Sequence, residues 1–444
     1  MNRVMISELS LPALFVGSAL AFEQFVAPSR VLFGQVSDSR PVFGLHRVPY
    51  IWLGSALFCG LAVLSVPVIF YVARLVEAQS PGLILAGGIA ALCGLFACYG
   101  LAISMASTPY LALVIDRTHE QERSRAVSII WCFLTVGIVI GAIATALSLK
   151  GLDGVEDPAL LEPALLLFMA RVAVVVLLLT LVATIGIEVP RRSSGPVPID
   201  RDLRAESVQR REDSITMKQA WVLITSSRQV VVFFAFLVLF TLGLFLQDPV
   251  LESYGAEVFG MPIAATASLN ALWGIGTLVG LLVAGLVIVP RLGKLITARL
   301  GCQLIAATLL LLLLSGLTAN VALLRVVMLL FGFAAGIGTN SALVLMLDLT
   351  LPQAAASFVG VWGLAQAMSR AVGKVLGGGL LDLGRWLSLE LDLGGGAYPA
   401  YAMVLAVEFF IALMAILMLR RLNLRQFRED TGTSLSKVLA LELE

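Results

Sequence analysis

The sequence predicts an all-α polytopic membrane protein, and three observations lead to this fold class. Of the 444 residues 59% are hydrophobic, only 13% are charged, and the mean hydropathy is +0.97. Apolar runs recur along the chain, and each reaches the roughly 18 to 20 residues with which a helix crosses a hydrocarbon layer. The runs are continuously apolar, whereas a barrel strand would be about ten residues of alternating character. We therefore expect membrane-spanning helices throughout.

The apolar runs predict about eleven spans, arranged as two helical halves. The expected spans are residues 11–36, 48–73, 82–114, 125–149, 163–188, 229–250, 262–289, 295–318, 320–347, 355–381 and 398–419. Residues 190–218, rich in charge, Ser and Pro, are typical of a solvated linker with room for a short amphipathic helix. We expect an N-terminal half of about five spans (1–189), a cytoplasmic linker (190–228) and a C-terminal half of six spans with a short tail (229–444).

The distribution of Lys and Arg predicts the orientation. Most of the 30 basic residues fall on one side, in segments that include the 34–50 loop, the linker and the C-terminal tail. The loops on the other side hold only Arg3, Arg74, Lys150 and Arg385. Because basic residues stay preferentially on the cytoplasmic side, we expect a cytoplasmic C-terminus and an external Met1 in an inner membrane. We expect no cleavable signal.

Several function classes find no support in the sequence. The chain has no phosphate-binding loop, no dinucleotide fingerprint after a strand, no Ser-His-Asp set in sequence context and no paired Cys and His ligands. A net charge of +1 gives no indication of a nucleic-acid partner. The sequence therefore predicts a protein that is not an enzyme, has no metal site, and has the lipid bilayer as its surroundings.

The 34–50 loop, GQVSDSRPVFGLHRVPY, packs charge and glycine between two apolar runs. It resembles the loop signature of the major facilitator superfamily, G-x-x-x-D-(R/K)-x-G-x-(R/K), stretched by an inserted Pro41-Val42-Phe43. The matching positions are Gly34, Asp38, Arg40, Gly44, His46 and Arg47. The carboxylate can hydrogen-bond basic residues and the N-terminus of a neighbouring helix, which predicts a cytoplasmic latch. The alternative is an ordinary positive-inside loop.

An internal repeat supports two halves. Asp116 and Thr118 are followed by Trp131 and Gly141, and Asp348 and Thr350 are followed by Trp362 and Gly373, with the same spacing from Asp to Gly. Asp116 and Asp348 are expected at equivalent helix ends.

Four further segments resemble the PucC-like, or bacteriochlorophyll delivery, family of the major facilitator superfamily. They are NRVMISELSLPA, FGQVSDSR with HRVPYIWLGS, QDPVLESYGAEVFGM and MLDLTLPQAAASFVGVWGLAQAMSR. The resemblance implies twelve helices with NRVMI after the first, so this chain is expected to lack the family's first helix, through a misplaced start or a genuine loss. It also implies handling of chlorophyll or bacteriochlorophyll, or assistance to light-harvesting complex assembly, with a tetrapyrrole, light-harvesting polypeptides or pigment-synthesis enzymes as partners.

Ionisable and polar residues inside predicted spans form the candidate substrate or coupling site, because such groups are costly in a bilayer. They are Glu23, Gln24, Arg171, Asn270, Asn340, Gln366, Arg370, Lys374 and Glu408. The basic members are expected to neutralise Glu23 and Glu408 across the bundle. We expect Glu23, Arg370 and Lys374 in the lumen between the halves. The alternatives are a structural ion pair, a group in a wet cavity, or a proton- or substrate-coupling site.

Two more expectations concern the pigment and the outer end of the bundle. Both histidines, His46 and His119, lie in predicted loops, so we expect no tightly bound cofactor and only transient (bacterio)chlorophyll with oxygen ligands. Gln247, Asp248, Glu252 and Tyr254 are expected at the outer end of a helix, as a gate, a partner contact or a solvated helix end. The competing function is a secondary transporter of another small amphipathic solute, with proton coupling.

Overall fold

The computed structural model describes residues 2–116, 123–152, 157–188, 228–348, 355–392 and 394–422, and these ranges are almost entirely helical. The helices of the first half are α1 (Ala13–Phe25), α2 (Ser29–Ser39), α3 (Val48–Glu77), α4 (Gly82–Asp116), α5 (Arg123–Leu149) and α6 (Pro158–Thr184). Those of the second half are α7 (Arg228–Phe245), α8 (Leu251–Glu257), α9 (Ile263–Val283), α10 (Lys294–Thr318), α11 (Val321–Asp348), α12 (Ala355–Glu390) and α13 (Tyr398–Arg420). A π-helical turn, Val4–Glu8, precedes α1, and a second, Ala284–Ile288, continues α9 into a short turn, Val289–Leu292.

The predicted fold class is confirmed: the described chain is an all-helical membrane protein. By length and composition, seven helices in the described ranges can cross a membrane, and three shorter apolar helical stretches accompany them. The total of eleven spans stays a prediction. The predicted linker helix at 190–218 lies outside the described residues.

Two predicted spans are each interrupted instead of continuous. The span predicted at 11–36 is two helices, α1 and α2, joined by a turn before Ser29, and the span predicted at 229–250 ends at Phe245. Pro28 and Pro249 explain both breaks, because proline lacks an N–H donor and its ring clashes with the carbonyl four residues earlier. Such breaks are tolerated at membrane depth where they are buried in protein.

Helix packing defines the two halves and the contacts between them. In the first half α3 packs against α4 and α6, and α1 against α4. In the second half α9 packs on α11, α10 on α11 and α13, and α7 on α12 and α13. The most extensive contacts between the halves in the described ranges are those of α1 with α12 and of α5 with α9.

Glycines permit the closest of these crossings. A Cβ at Gly276 would overlap the Leu329 carbonyl and one at Gly332 would overlap the Trp273 carbonyl, so α9 and α11 meet backbone to backbone. Small residues let helix backbones approach closely in a membrane bundle, and glycine has that role at this crossing.

Candidate functional site

An ion pair joins the two halves near the middle of the bundle. The Lys374 ammonium on α12 lies 3.5 Å from Glu23 Oε2 on α1 and 3.4 Å from the Leu20 carbonyl oxygen. The side-chain amide of Gln24 donates to the other carboxylate oxygen of Glu23 at 3.1 Å. Because both charged side chains are largely buried, 14% and 24% exposed, each charge depends on the other for compensation.

Arg370 lies one helical turn before Lys374 on α12 and extends this cluster. Its guanidinium carbon lies 4.3 Å from the centre of the Phe245 ring, a cation–π contact. Its Nε atom has no hydrogen-bond partner among the described residues. Asp248 interacts electrostatically with both Arg370 and Lys374. The two cations and the carboxylates of Glu23 and Asp248 therefore form one nearly neutral cluster between α1, α7 and α12.

Asp248 lies in the break between α7 and α8 and faces open space. Its side chain is exposed, whereas Gln247, Pro249 and Val250 around it are buried. The break after α7 therefore exposes one carboxylate beside residues that pack in the core.

Glu408 of α13 lies behind the same break and is fully buried. Its Oε1 atom accepts a hydrogen bond of 3.4 Å from the backbone N–H of Gln247, a donor in the interrupted stretch of α7. Glu408 Oε2 and Gln247 Oε1 have no partner in the described part of the chain. The prediction that a cation neutralises Glu408 is wrong among the described residues, because the Glu408 carboxylate contacts a backbone amide instead.

The 34–50 loop is held by short polar contacts on the first half. Phe43 and Gly44 both have positive φ, and Val42 and Leu45 exchange backbone hydrogen bonds across them, which makes the inserted stretch a tight turn. Arg47 Nη1 donates to Ser37 Oγ at 2.8 Å, and the Tyr50 hydroxyl donates to the Arg40 carbonyl. Gly34 lies in α2 against Thr108 of α4.

Asp38, the predicted latch carboxylate, is a residue of α2, but its side chain lies outside the described part. A different carboxylate binds the loop. Glu188, four residues after α6, accepts hydrogen bonds from the backbone N–H groups of His46, Arg47 and Val48 at 2.6, 3.0 and 2.8 Å. These amides are the N-terminus of α3, where unpaired donors and the helix dipole favour an anion. Glu188 therefore fastens the end of α6 to the start of α3.

The electrostatics of Glu188 follow from those donors. Burial alone raises the pKa of its carboxyl, but the hydrogen bonds from Val48, His46 and Arg47, together with the charge of His46, outweigh it and hold the pKa below the ordinary value. The carboxylate is therefore ionised at neutral pH.

Polar contacts also connect the halves at the end of the bundle that carries Arg3, Glu257 and Arg385, which we call the Arg3 end. Ser7 donates to Glu257 at 2.9 Å and Arg385 donates to both oxygens of Glu257 at 2.9 and 3.0 Å. Arg3 donates to the Thr266 hydroxyl at 2.8 Å. These bonds close the space between the halves at the Arg3 end.

A carboxylate on α12 completes this closure by capping α1. Asp382 accepts from the backbone N–H groups of Ala13 and Leu14 at 2.9 and 2.7 Å. Between described residues, every hydrogen bond from one half to the other lies at the Arg3 end, at Asp248, or at Lys374, where the ion pair lies.

The four residues predicted as an outer gate, a partner contact or a solvated helix end differ in exposure. Gln247 and Tyr254 are buried, Glu252 is half-buried and Asp248 is exposed. Tyr254 donates to the Leu312 carbonyl, and Glu252 accepts from the Asn270 amide at 2.9 Å. Tyr254 is thus a packing residue and offers no surface to a partner.

The remaining predicted residues occupy separate places. Asp116 and Asp348 are the last residues of α4 and α11, with side chains outside the described part. Gln366 lies one turn before Arg370, and the buried amide nitrogen of Asn340 on α11 has no partner among the described residues. Arg171 is exposed on α6, which packs against α3, so it does not join the central cluster and does not neutralise either acid.

Sequence reasoning missed the carboxylates that hold the Arg3 end and the loop. Glu188 was included in a predicted span, and Asp382 and Arg385 fall just beyond the predicted end of another at residue 381. In the sequence these residues are marked only by their position at the ends of apolar runs. That position indicates a helix end but does not show which residue the side chain contacts.

Comparison with known proteins now adds to this geometry. The family model described as PUCC protein matches residues 1–427. The chain belongs to the PUCC protein family. Relatives of this PUCC-family chain include Protein PucC of Rhodobacter capsulatus, 27% identical over 94% of this chain and 86% of that protein. Another, from the same organism, is named bacteriochlorophyll synthase 44.5 kDa chain and is 29% identical over 93% of this chain and 89% of its own length.

Solved structures show the same fold at low identity. A bacterial homologue of the iron transporter ferroportin in an inward-facing state has a TM-score of 0.64 at 13% identity, covering 95% of this chain and 94% of that one. A bacterial homologue of the human lysosomal transporter Spinster has a TM-score of 0.65 at 14% identity, covering 97% and 94%. The PUCC-family chain therefore has the major facilitator fold.

Proposed function

We propose that this PUCC-family membrane protein handles (bacterio)chlorophyll, delivering pigment for light-harvesting complexes or assisting their assembly. The proposal draws its chemistry from the family and from the relative whose name refers to bacteriochlorophyll. Its cargo would be a planar, largely apolar macrocycle that carries Mg²⁺.

The exposed Asp248 carboxylate is the observation that carries the proposal. Mg²⁺ prefers oxygen ligands, and Asp248 supplies exposed carboxylate oxygens in the break after α7. Nearby, the rings of Phe245 and Trp273 lie 6.4 Å apart and the guanidinium of Arg370 covers one of them, so aromatic faces adjoin the oxygen donor. His46 lies in the 34–50 loop, and His119 falls outside the described residues. Oxygen ligation suits a cargo that must be released.

A deletion strain of a photosynthetic host tests this function. We expect assembled light-harvesting complex to fall while the pigment-synthesis enzymes stay active, so that free or precursor pigment persists; absorbance of membranes and extracted pigments measures both. Complementation with Asp248→Leu should fail, whereas the exposed-site variant Glu390→Leu should restore assembly. Normal antenna and pigment levels in the deletion strain would reject the delivery role.

A second candidate is a proton-coupled secondary transporter of another small amphipathic solute. It is favoured by Glu408, a fully buried carboxyl group with one unpartnered oxygen among the described residues, and by the Glu23–Lys374 pair across the halves. Solute-driven proton uptake by reconstituted protein, lost in Glu408→Gln, together with a deletion strain of normal pigmentation, would select it over pigment handling.

We also propose an inner-membrane location, with the C-terminus and residues 190–218 in the cytoplasm, and no catalytic role. Alkaline phosphatase fused after residue 200 should be inactive, because that enzyme folds only when exported. Fusion after Gly151, in the loop between α5 and α6, should be active. The reverse pattern would invert the topology.

A further inference from the structure

Arg171 is a charged residue at the centre of an apolar helix. It is the middle residue of α6, Pro158–Thr184, so about 20 Å of helix separates it from either end. Its side chain is exposed, and it makes no hydrogen bond or ion pair with any described residue. Because half of a hydrocarbon core is about 15 Å thick, the guanidinium lies far from both interfaces and from the headgroup phosphates.

Among the described residues, the packing of α6 leaves the side that carries Arg171 uncovered. Leu161 and Leu165 are buried with Val66 and Phe70 of α3. Among the described helices α3 is the one that packs extensively against α6. Its counterpart in the second half, α13, packs against α7, α10 and α12.

The uncovered face is a regular apolar stripe around the arginine. At helical spacing from Arg171 follow Val174, Val175, Leu178 and Val182, which are 56%, 54%, 56% and 78% exposed. Valine side chains have few rotamers on a helix, so packing on this stripe costs little side-chain entropy. Lipid tails can cover the stripe, but they offer no acceptor to the guanidinium.

We propose that this face of α6 docks a transmembrane helix of a separate polypeptide that carries one carboxylate at mid-membrane depth. Arginine binds a carboxylate through two parallel hydrogen bonds. In hydrocarbon each of the two charges is costly alone, and pairing them lowers that cost because they neutralise each other. The charge of Arg171 thus selects a partner with a carboxylate. The apolar stripe beside Arg171 packs against the apolar side chains of the partner helix. This inference rests on α6 alone and is independent of the proposed cargo.

The test uses the full chain, fused to a fluorescent protein at its C-terminus and reconstituted in phosphatidylcholine vesicles. The probes are dye-labelled, leucine-rich single-span peptides of about 24 residues that carry Glu, Gln or Leu at the central position. Energy transfer measures their association. We expect the Glu peptide to associate at least tenfold more tightly than the Leu peptide, with the Gln peptide between them.

Variants assign the effect to Arg171. Arg171→Leu should abolish the preference for Glu, Arg171→Lys should retain part of it, and Arg74→Leu, which removes an arginine paired with Glu162 at the helix end, should leave it intact. Equal association of the three peptides with the unaltered chain would overturn the proposal. So would a preference that survives Arg171→Leu, or Arg171-dependent transfer between two copies of this chain, which would make a second copy the occupant.

Discussion

Three carboxylates in the described part of the chain accept hydrogen bonds from backbone amides far away in sequence, at places where helical hydrogen bonding stops. Glu188 binds the start of α3, Asp382 the start of α1, and Glu408 the break after α7. An unpaired N–H group away from water is costly. The sequence shows that these acids interrupt apolar runs, but their amide partners are distant in sequence, so the acids are predictable and their targets are not.

The Glu408 contact predicts a difference between two substitutions. Glu408→Gln keeps an oxygen that accepts from the Gln247 amide, so its stability should stay close to that of the unaltered chain. Glu408→Leu leaves that buried donor unpaired, which should cost about 1 to 3 kcal/mol. Thermal unfolding in mild detergent measures both. The exposed Glu390 is the control: Glu390→Leu should change little, and an equally stable Glu408→Leu would show that the contact is unimportant.

Glu188 predicts a pH dependence of stability. Because the pKa of its carboxyl is lower in the folded chain than its ordinary value of 4.5, its contribution is complete above about pH 4.5 and is lost as the pH falls further, through the folded pKa. Glu188→Gln should therefore be less stable than the unaltered chain at pH 7, and the gap should close in acid. Unfolding midpoints from pH 7 to pH 3 check this; a gap that is constant with pH would exclude the ionised carboxylate as its cause.

At the scale of the element, helix positions were predictable and helix breaks were not. All eleven predicted spans begin within about five residues of the start of a described helix, because long apolar runs are a strong signal. The break after Phe245 was missed because Leu246, Pro249 and Val250 extend the apolar signal to residue 250, and hydropathy alone does not mark the last helical residue. The cluster of Asp248, Arg370 and Lys374 depends on that break. The sequence therefore identified these residues as candidates but did not predict that they lie together.

The α1–α12 crossing gives an element-scale prediction. A Cβ at Gly378 would overlap the Ala13 carbonyl, and one at Gly17 the Lys374 carbonyl. Gly378→Leu should therefore separate the helices and lower the unfolding temperature by several degrees. Gly94→Leu on α4, where nothing lies near the position, should be neutral or slightly stabilising, since glycine disfavours helix. Equal effects of the two variants would contradict the crossing.

At the scale of the whole molecule, two halves and a repeat were predicted from spacing and hydropathy, while of the contacts between the halves only the pairing of Glu23 with a cation such as Lys374 was predicted. That meeting depends on residues such as Ser7 and Glu257, whose identities are ordinary for any helix end. Their pairing is a property of the assembled bundle.

The closure at the Arg3 end predicts a shift of conformational population. Glu257→Ala removes the acceptor shared by Ser7 and Arg385, so the open form at this end should become more populated. Labelling of a cysteine placed at Ser7 by a membrane-impermeant maleimide should then accelerate several-fold relative to the same cysteine without Glu257→Ala. Glu162→Ala, which removes an ion pair within the first half, is the matched control. Unchanged labelling would show that other contacts hold the closure.

The cap on α1 also sets an order in time. Ala13 and its acceptor Asp382 are 369 residues apart, and a ribosome adds about 5 to 20 residues per second. The first helix of the described chain therefore waits for roughly 20 to 70 s of synthesis before its leading amides meet their carboxylate. Until α12 has entered the membrane, the Arg3 end lacks the Asp382 cap and the Arg385 donors and has only the contacts of Arg3 and Ser7, so complete closure is among the last steps of synthesis and insertion.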